Sequence, residues 1–218
     1  KNVFNIGALG AENVKKIELI NKEKLEKILS IKFSKYNFLI TINSFIEEEV
    51  SINRFLKNFF LAIKKFKDTS FIFTLPNSDL KSDYIRDKVL DFCKKNKSSF
   101  AFKSLGAQKY LSCMKICDVV LGNSSSGILE APTLKVATVN IGDRQKGRLQ
   151  ANSIINSRYS SKNIYDSIRK SLSLNFKKKI KKTKNPYFKK NTATNIAMII
   201  EKKILNRKIS TKKFYDIK

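Results

Sequence analysis

The sequence predicts an α/β domain: a parallel β-sheet with helices packed on both of its faces. Short apolar runs of strand length alternate with amphipathic helical patterns, the order of elements that builds such a sheet. No internal repeat breaks that alternation. The chain has 218 residues, 42% of them hydrophobic, enough for one sizeable core.

The first strand is read at residues 36–43. A helix follows, with Ile52, Phe55, Leu56, Phe59 and Ile63 on one face. Residues 70–75 make the second strand, and Ile85, Val89 and Phe92 mark the next helix. The third strand is short, 99–103, and its helix carries Tyr110, Leu111, Met114 and Cys117. Residues 118–122 make the fourth strand, with a helix starting within 126–130, and residues 136–141 make the fifth. Two later helices are expected. One runs from Ser161 with Ile164, Ile168 and Leu172, the other from Asn191 with Ile196, Ile199 and Ile200. Residues 177–184 read as a charged connector, and 206–218 as a basic tail that frays at its end. Residues 1–20 fall outside the alternation. There Val3-Phe-Asn-Ile-Gly-Ala-Leu-Gly10 reads as a strand fragment and glycine turn, expected to be a hinge arriving from an upstream domain. The domain proper is then 21–205.

Composition excludes several classes of protein. No apolar run approaches the roughly 18 residues of a membrane span. No signal peptide is visible, and a chain opening on Lys1 is expected to be a piece of a longer protein. The three cysteines, Cys93, Cys113 and Cys117, have no framework spacing and read as reduced thiols of a cytoplasmic protein. Cys113 and Cys117 stand four apart on a predicted helix. With no histidine in the chain, burial explains them better than a metal. The formal net charge of +27 first suggests nucleic acid. Lysine supplies most of the excess and is spread along the whole chain, whereas nucleic-acid modules lean on arginine and exposed aromatics. The charge is therefore read as solvated surface.

In an open α/β sheet, ligands bind outside the carboxyl ends of the strands. Small, polar and basic residues gather after each predicted strand: Asn43 and Ser44, then Asn77, then Ser104 and Leu105, then Gly122-Asn-Ser-Ser-Ser-Gly127, then Gly142-Asp-Arg-Gln-Lys-Gly-Arg148. The opposite edge is not enriched in this way. The serine turn, running from a strand into a helix, suits close approach of N–H and hydroxyl groups to a phosphate, helped by the helix dipole. Glu130, about one turn into that helix, suits a ribose diol. The turn alone reads equally as a capped helix start. Arg144 and Arg148 tip the balance, because a guanidinium fork bonds two diphosphate oxygens at once. Arg148 by itself reads as ordinary surface charge. Ser104 and Leu105 would line a flat slot for a pyrimidine base, and Asn77 reads otherwise as a turn residue.

Gly122-Asn-Ser-Ser-Ser-Gly-Ile-Leu-Glu-Ala-Pro132 followed by Asn140-Ile-Gly-Asp-Arg-Gln-Lys-Gly-Arg148 resembles the hydrolysing UDP-N-acetylglucosamine 2-epimerases of sialic-acid and legionaminic-acid pathways. The segments 3–10, Leu75-Pro-Asn77, Lys103-Ser-Leu-Gly106 and Asn185-Pro-Tyr187 resemble that family in the same order, across about residues 3–205. The resemblance implies the C-terminal, Rossmann-like half of a glycosyltransferase-B-like fold, with the active site between two domains. It implies that Ser124, Ser125, Gly127 and Glu130 hold the diphosphate and ribose of UDP, that Arg144 neutralises the diphosphate, and that Asn77, Ser104 and Leu105 line the cleft. The reaction it implies converts UDP-N-acetylglucosamine to N-acetylmannosamine and UDP, by elimination of UDP and addition of water. It implies no metal, no redox cofactor and no membrane, and allows a homo-oligomer.

The sequence departs from the family pattern in places. Asn43 and Ser44 stand where the family carries His-Pro, Lys135 and Ala137 replace a Gly and a Pro, and the late motif lacks its glycines at 188–190. Asparagine cannot carry positive charge or act as a proton donor of histidine's kind. The proton-moving acidic residues belong to the upstream domain, so this chain alone is expected to bind UDP weakly and to catalyse nothing. The alternatives are a UDP-sugar glycosyltransferase domain or a non-catalytic UDP-sugar-binding paralogue.

Overall fold

The computed structural model describes residues 3–44, 51–79 and 81–205. Six parallel strands form one sheet in the order β3-β2-β1-β4-β5-β6. They are β1 Tyr36–Thr41, β2 Thr69–Thr74, β3 Ser99–Phe102, β4 Val119–Gly122, β5 Ala137–Ile141 and β6 Ile154–Ser157. The order reverses between β1 and β4, the switch point at which open α/β sheets bind ligands. Register brings one residue of every strand into a single row at the carboxyl end: Phe102, Thr74, Thr41, Gly122, Asn140 and Asn156.

Alternate strand residues feed two cores. On one face Phe38, Ile40, Phe73, Leu121 and Val139 meet α3 (Ile52–Ile63), α4 (Ser82–Lys95), α8 (Ser161–Leu172) and α9 (Leu174–Lys181). On the other, Leu39, Ile72 and Val120 meet α1 (Leu9–Lys16), α2 (Lys22–Leu29), α5 (Gly106–Ile116) and α7 (Ala131–Leu134). The remaining helices are α6 (Ser126–Leu129) and α10 (Thr192–Ile200), and a π-helical turn, Glu201–Leu205, follows α10. The expected α/β class with helices on both faces is the architecture found. Cys113 and Cys117 are buried in the second core with their sulfurs 3.9 Å apart, and burial pushes the Cys117 thiol pKa upward.

Four local readings are corrected. The connector at 177–184 is largely helix, because α9 buries Phe176 and Ile180. Burial of each contributes roughly 1.5–3 kcal/mol, against the few tenths of a kcal/mol that each like-charge lysine pair costs. Lys177 also reaches Asp118 at 2.9 Å. The strand fragment at 3–10 is not a strand: α1 begins at Leu9 and buries Ala11 and Val14 one turn apart. A sixth strand, β6, escaped notice because Ile154 and Ile155 are its only apolar residues and both are half-exposed. α2 was likewise not anticipated; it buries Leu25 alone. The tail at 206–218 lies outside the described residues.

Candidate functional site

β4 ends at Gly122, whose φ is +123°; a β-carbon there would lie 1.9 Å from the Thr41 carbonyl oxygen. Only glycine lets the chain turn this close to β1. The turn places Asn123 in a buried clasp with Asn43. The Asn43 backbone N–H donates to Asn123 Oδ1 at 2.7 Å, and Asn123 Nδ2 donates to the Asn43 carbonyl at 2.8 Å. Asn43 Oδ1 accepts from the Asn77 N–H at 3.3 Å. The Asn123 carbonyl accepts from Gln145 Nε2 at 2.8 Å and from Arg144 Nη1 at 3.2 Å. The ends of β1, β2, β4 and β5 are thus tied by side-chain amides at the switch point.

Beside this clasp lies a cleft of about 400 Å³. Leu75 and Asn77 after β2, and Ser104 and Leu105 after β3, form one wall; Ser124, Ser126 and Glu130 form another. The Thr41 and Thr74 hydroxyls, hydrogen-bonded to each other, make the floor. Tyr110 of α5 meets the Ser126 hydroxyl at 2.6 Å, and Ser126 meets Ser124 at 3.0 Å. Burial pushes the Tyr110 pKa up to about 12, so its hydroxyl stays protonated. Burial also raises the Glu130 pKa above its ordinary value.

Five of the residues singled out from the sequence therefore share one cleft: Asn77, Ser104, Leu105, Ser124 and Glu130. Ser125, Gly127 and Arg144 are not among its walls. Ser125 precedes α6, and its carbonyl accepts from the N–H groups of Ile128 and Leu129. Gly127 is a close-packing position: its carbonyl accepts from Thr138 Oγ1 at 2.9 Å, and a β-carbon would sit 2.6 Å from Thr138 Cγ2. Arg144 flanks the turn from the β5 side through the Asn123 carbonyl. Arg148 lies further along that exposed loop. The helix after the serine turn is shorter than its spacing suggested. α6 and α7 have four residues each and break at Glu130, leaving a weaker dipole. Asn123, Gln145 and Tyr110 were missed. Asn123 stood inside the glycine–serine motif, but no local signal shows which partner a buried amide will find.

The late Asn-Pro-Tyr segment holds the turn from behind. Asn185 Nδ2 donates to the Leu129 carbonyl at 2.8 Å and to Thr133 Oγ1 at 2.7 Å. The Tyr187 carbonyl accepts from the Ala8 N–H at 2.9 Å, so the N-terminal segment is stitched to the same unit. Glu12 closes this contact: the Ala193 N–H donates to it, and that bond, with Lys16, lowers its pKa.

A further cavity, of about 620 Å³, opens at the amino edge between Lys35, Lys64 and Lys97. Polar and basic residues are therefore not confined to the carboxyl edge.

The family model for UDP-N-acetylglucosamine 2-epimerase matches residues 1–201. The chain belongs to this family. It is 39% identical over 217 residues to the polysialic acid biosynthesis protein P7 of Escherichia coli, covering 99% of the chain and 55% of that relative. It is 41% identical over 158 residues to the GDP/UDP-N,N'-diacetylbacillosamine 2-epimerase (hydrolyzing) of Campylobacter jejuni, covering 72% of the chain and 41% of that protein. The chain spans about half the length of the curated relatives it matches. Among solved structures, the S. aureus MnaA–UDP complex superposes with a TM-score of 0.69 at 13% identity, covering 96% of this chain and 56% of that one. The Neisseria meningitidis UDP-GlcNAc 2-epimerase bound to UDP-GlcNAc superposes with a TM-score of 0.59 at 17% identity, covering 83% and 48%. At such identities the likeness carries the fold alone, the Rossmann-like half of a glycosyltransferase-B-like architecture. For an epimerase-family chain the switch-point cleft stands where the fold class places its ligand. Among the described residues no helix is long and apolar enough to cross a membrane.

Proposed function

We propose that this chain is the UDP-binding half of a hydrolysing UDP-N-acetylglucosamine 2-epimerase, which releases UDP and N-acetylmannosamine. The observation that carries this reading is the grouping of Ser124, Glu130, Asn77, Ser104 and Leu105 around one cleft at the switch point. In this reading the uracil base lies against Ser104, Leu105 and Asn77, and the Ser124 and Ser125 hydroxyls meet the diphosphate. Arg144, held on the flank by the Asn123 carbonyl, swings to the departing phosphate and offsets its growing negative charge. Glu130 has no hydrogen-bond donor among the described residues, and its burial disfavours the carboxylate. A ribose diol donating two hydrogen bonds supplies what the protein does not.

The chemistry at the sugar belongs to an upstream domain; residues 1–20 lead from it, with α1 packed on 21–205 as part of the nucleotide-binding unit, and 206–218 follow as a basic tail. The enzyme works in the cytoplasm, and this half alone turns nothing over. Two further readings each rest on an observation. The 41% identity to the Campylobacter jejuni protein favours UDP-N,N'-diacetylbacillosamine as the substrate. Asn43 favours a binding module without catalysis, since its side chain is engaged with Asn77 and stands at the family's histidine position.

Calorimetric titration of the chain with UDP tests the binding claim. UDP binds, Glu130→Gln weakens it about tenfold through loss of charge-assisted hydrogen bonds, and random DNA in high salt does not bind. Salt-sensitive DNA binding without UDP affinity overturns the reading. Assay of the full-length protein for UDP release from each UDP-sugar, with and without Asn43→His, separates the two substrates and the inactive module.

A further inference from the structure

The corner where β5 and β6 end holds a second cavity, of about 570 Å³, apart from the serine-turn cleft. Arginine is scarce in this lysine-rich chain, so a lysine-driven surface bias does not explain an arginine cluster. Yet Arg148 and Arg158, from the β5 loop and the end of β6, both line this cavity with Lys146. The carboxylate at its rim, Asp143, lies 3.7 Å from Lys146. Among the described residues no carboxylate lies within ion-pair distance of either arginine. Two arginines lining one cavity, neither paired with a carboxylate among the described residues, call for an oxyanion.

A second observation refines the ligand. Asn140 lines the same cavity, is 3% exposed, and its Oδ1 has no hydrogen-bond partner. Its orientation is set by its neighbours: Asn140 Nδ2 donates to Asn156 Oδ1 at 2.9 Å, and Asn156 Nδ2 donates to Gln150 Oε1 at 2.8 Å. The orphan is therefore an acceptor, and it calls for a donor such as a hydroxyl. A bare inorganic anion satisfies the arginines and leaves Asn140 unsatisfied. A sugar carrying an acidic group satisfies both.

We propose that the β5–β6 corner is a binding site for an acidic sugar, a hydroxylated ring bearing a phosphate or a carboxylate, distinct from the cleft at the serine turn. The inference does not depend on the UDP reading. Titration calorimetry of the chain with glucose 6-phosphate, glucuronate, inorganic phosphate and glucose tests it, each with and without saturating UDP. At least one acidic sugar binds more tightly than inorganic phosphate and than glucose, and UDP leaves that binding unchanged. Binding of only the phosphorylated or only the carboxylated sugar identifies the acidic group. The double substitution Arg148→Gln/Arg158→Gln, at two exposed side chains, weakens acidic-sugar binding about tenfold or more and leaves UDP affinity unaltered. The proposal is overturned if neither acidic sugar exceeds inorganic phosphate, if the double substitution has no effect, or if UDP displaces the sugar. Acidic-sugar binding without UDP binding would sink the epimerase reading and leave this site standing.

Discussion

The carboxyl edge of the sheet has two sides of opposite character. Toward β2 and β3, the cleft walls are hydroxyls, small residues and one carboxylate, Glu130, with Lys103 at the rim. Toward β5 and β6, Lys146, Arg148 and Arg158 line the wall and amides the base. Between them stands the Asn43–Asn123 clasp, which holds both sides in register. In the UDP reading proposed above, the first side selects by shape and directed hydrogen bonds, and Arg144 on its flank carries its salt dependence. In the proposal for the β5–β6 corner, the second selects by exposed charge, which salt screens within about 8–10 Å. One sheet edge can thus present two recognition surfaces of different physics, because each loop continues a separate strand.

The largest effect belongs to the shared element. Gly122→Ala forces a β-carbon into the Thr41 carbonyl at a left-handed φ and costs about 3 kcal/mol or more. Urea denaturation reads it, and both sides of the edge fail together. Asn123→Ala comes next. It leaves the buried N–H and C=O of Asn43 without partners, a loss of about 2–6 kcal/mol at roughly 1–3 kcal/mol for each buried group. An unchanged urea midpoint would show that the two sides are held independently.

Glu130→Gln sharpens the contrast instead of breaking it. Burial raises the folded-state pKa of Glu130 above its ordinary value. The folded chain therefore favours the protonated acid. The resulting stability is full below the unfolded pKa and is lost as pH rises through the folded pKa. Glutamine removes that dependence. The variant is at least as stable as the parent at neutral pH, and the gap narrows on acidification, as thermal melts across that window will show. A variant less stable than the parent at pH 7 would mean that Glu130 is compensated by contacts burial does not describe. The smallest effect is that of Arg144→Gln. Its guanidinium is exposed and makes one hydrogen bond to the protein, so stability changes by less than about 0.5 kcal/mol. UDP affinity falls several-fold, and much of its salt dependence goes with it.

Much of the fold was legible because apolar periodicity is written locally. Ile52, Phe55, Leu56, Phe59 and Ile63 announce α3 at helical spacing, and all but the half-buried Ile52 are buried as predicted. What was not legible depended on distant partners. α9 looks like a lysine run until Phe176 and Ile180 find the core. β6 pairs on one side only and carries little apolar signal. In the site, the turn brings Ser124 and Glu130 into one cleft wall, as their local spacing suggests, whereas the close packing of Gly127 on Thr138 has no local signal.

The amino-acid sequence alone determined the alternation of strands and helices and the collection of small polar residues after the strands, because both follow from short-range pattern and turn chemistry. Tertiary structure alone decided which of those residues share a cleft, that Asn43 and Asn123 clasp each other, and that Arg148 and Arg158 meet at a second cavity. Those pairings join residues from different strand ends, and only the order of strands in the sheet brings such ends together.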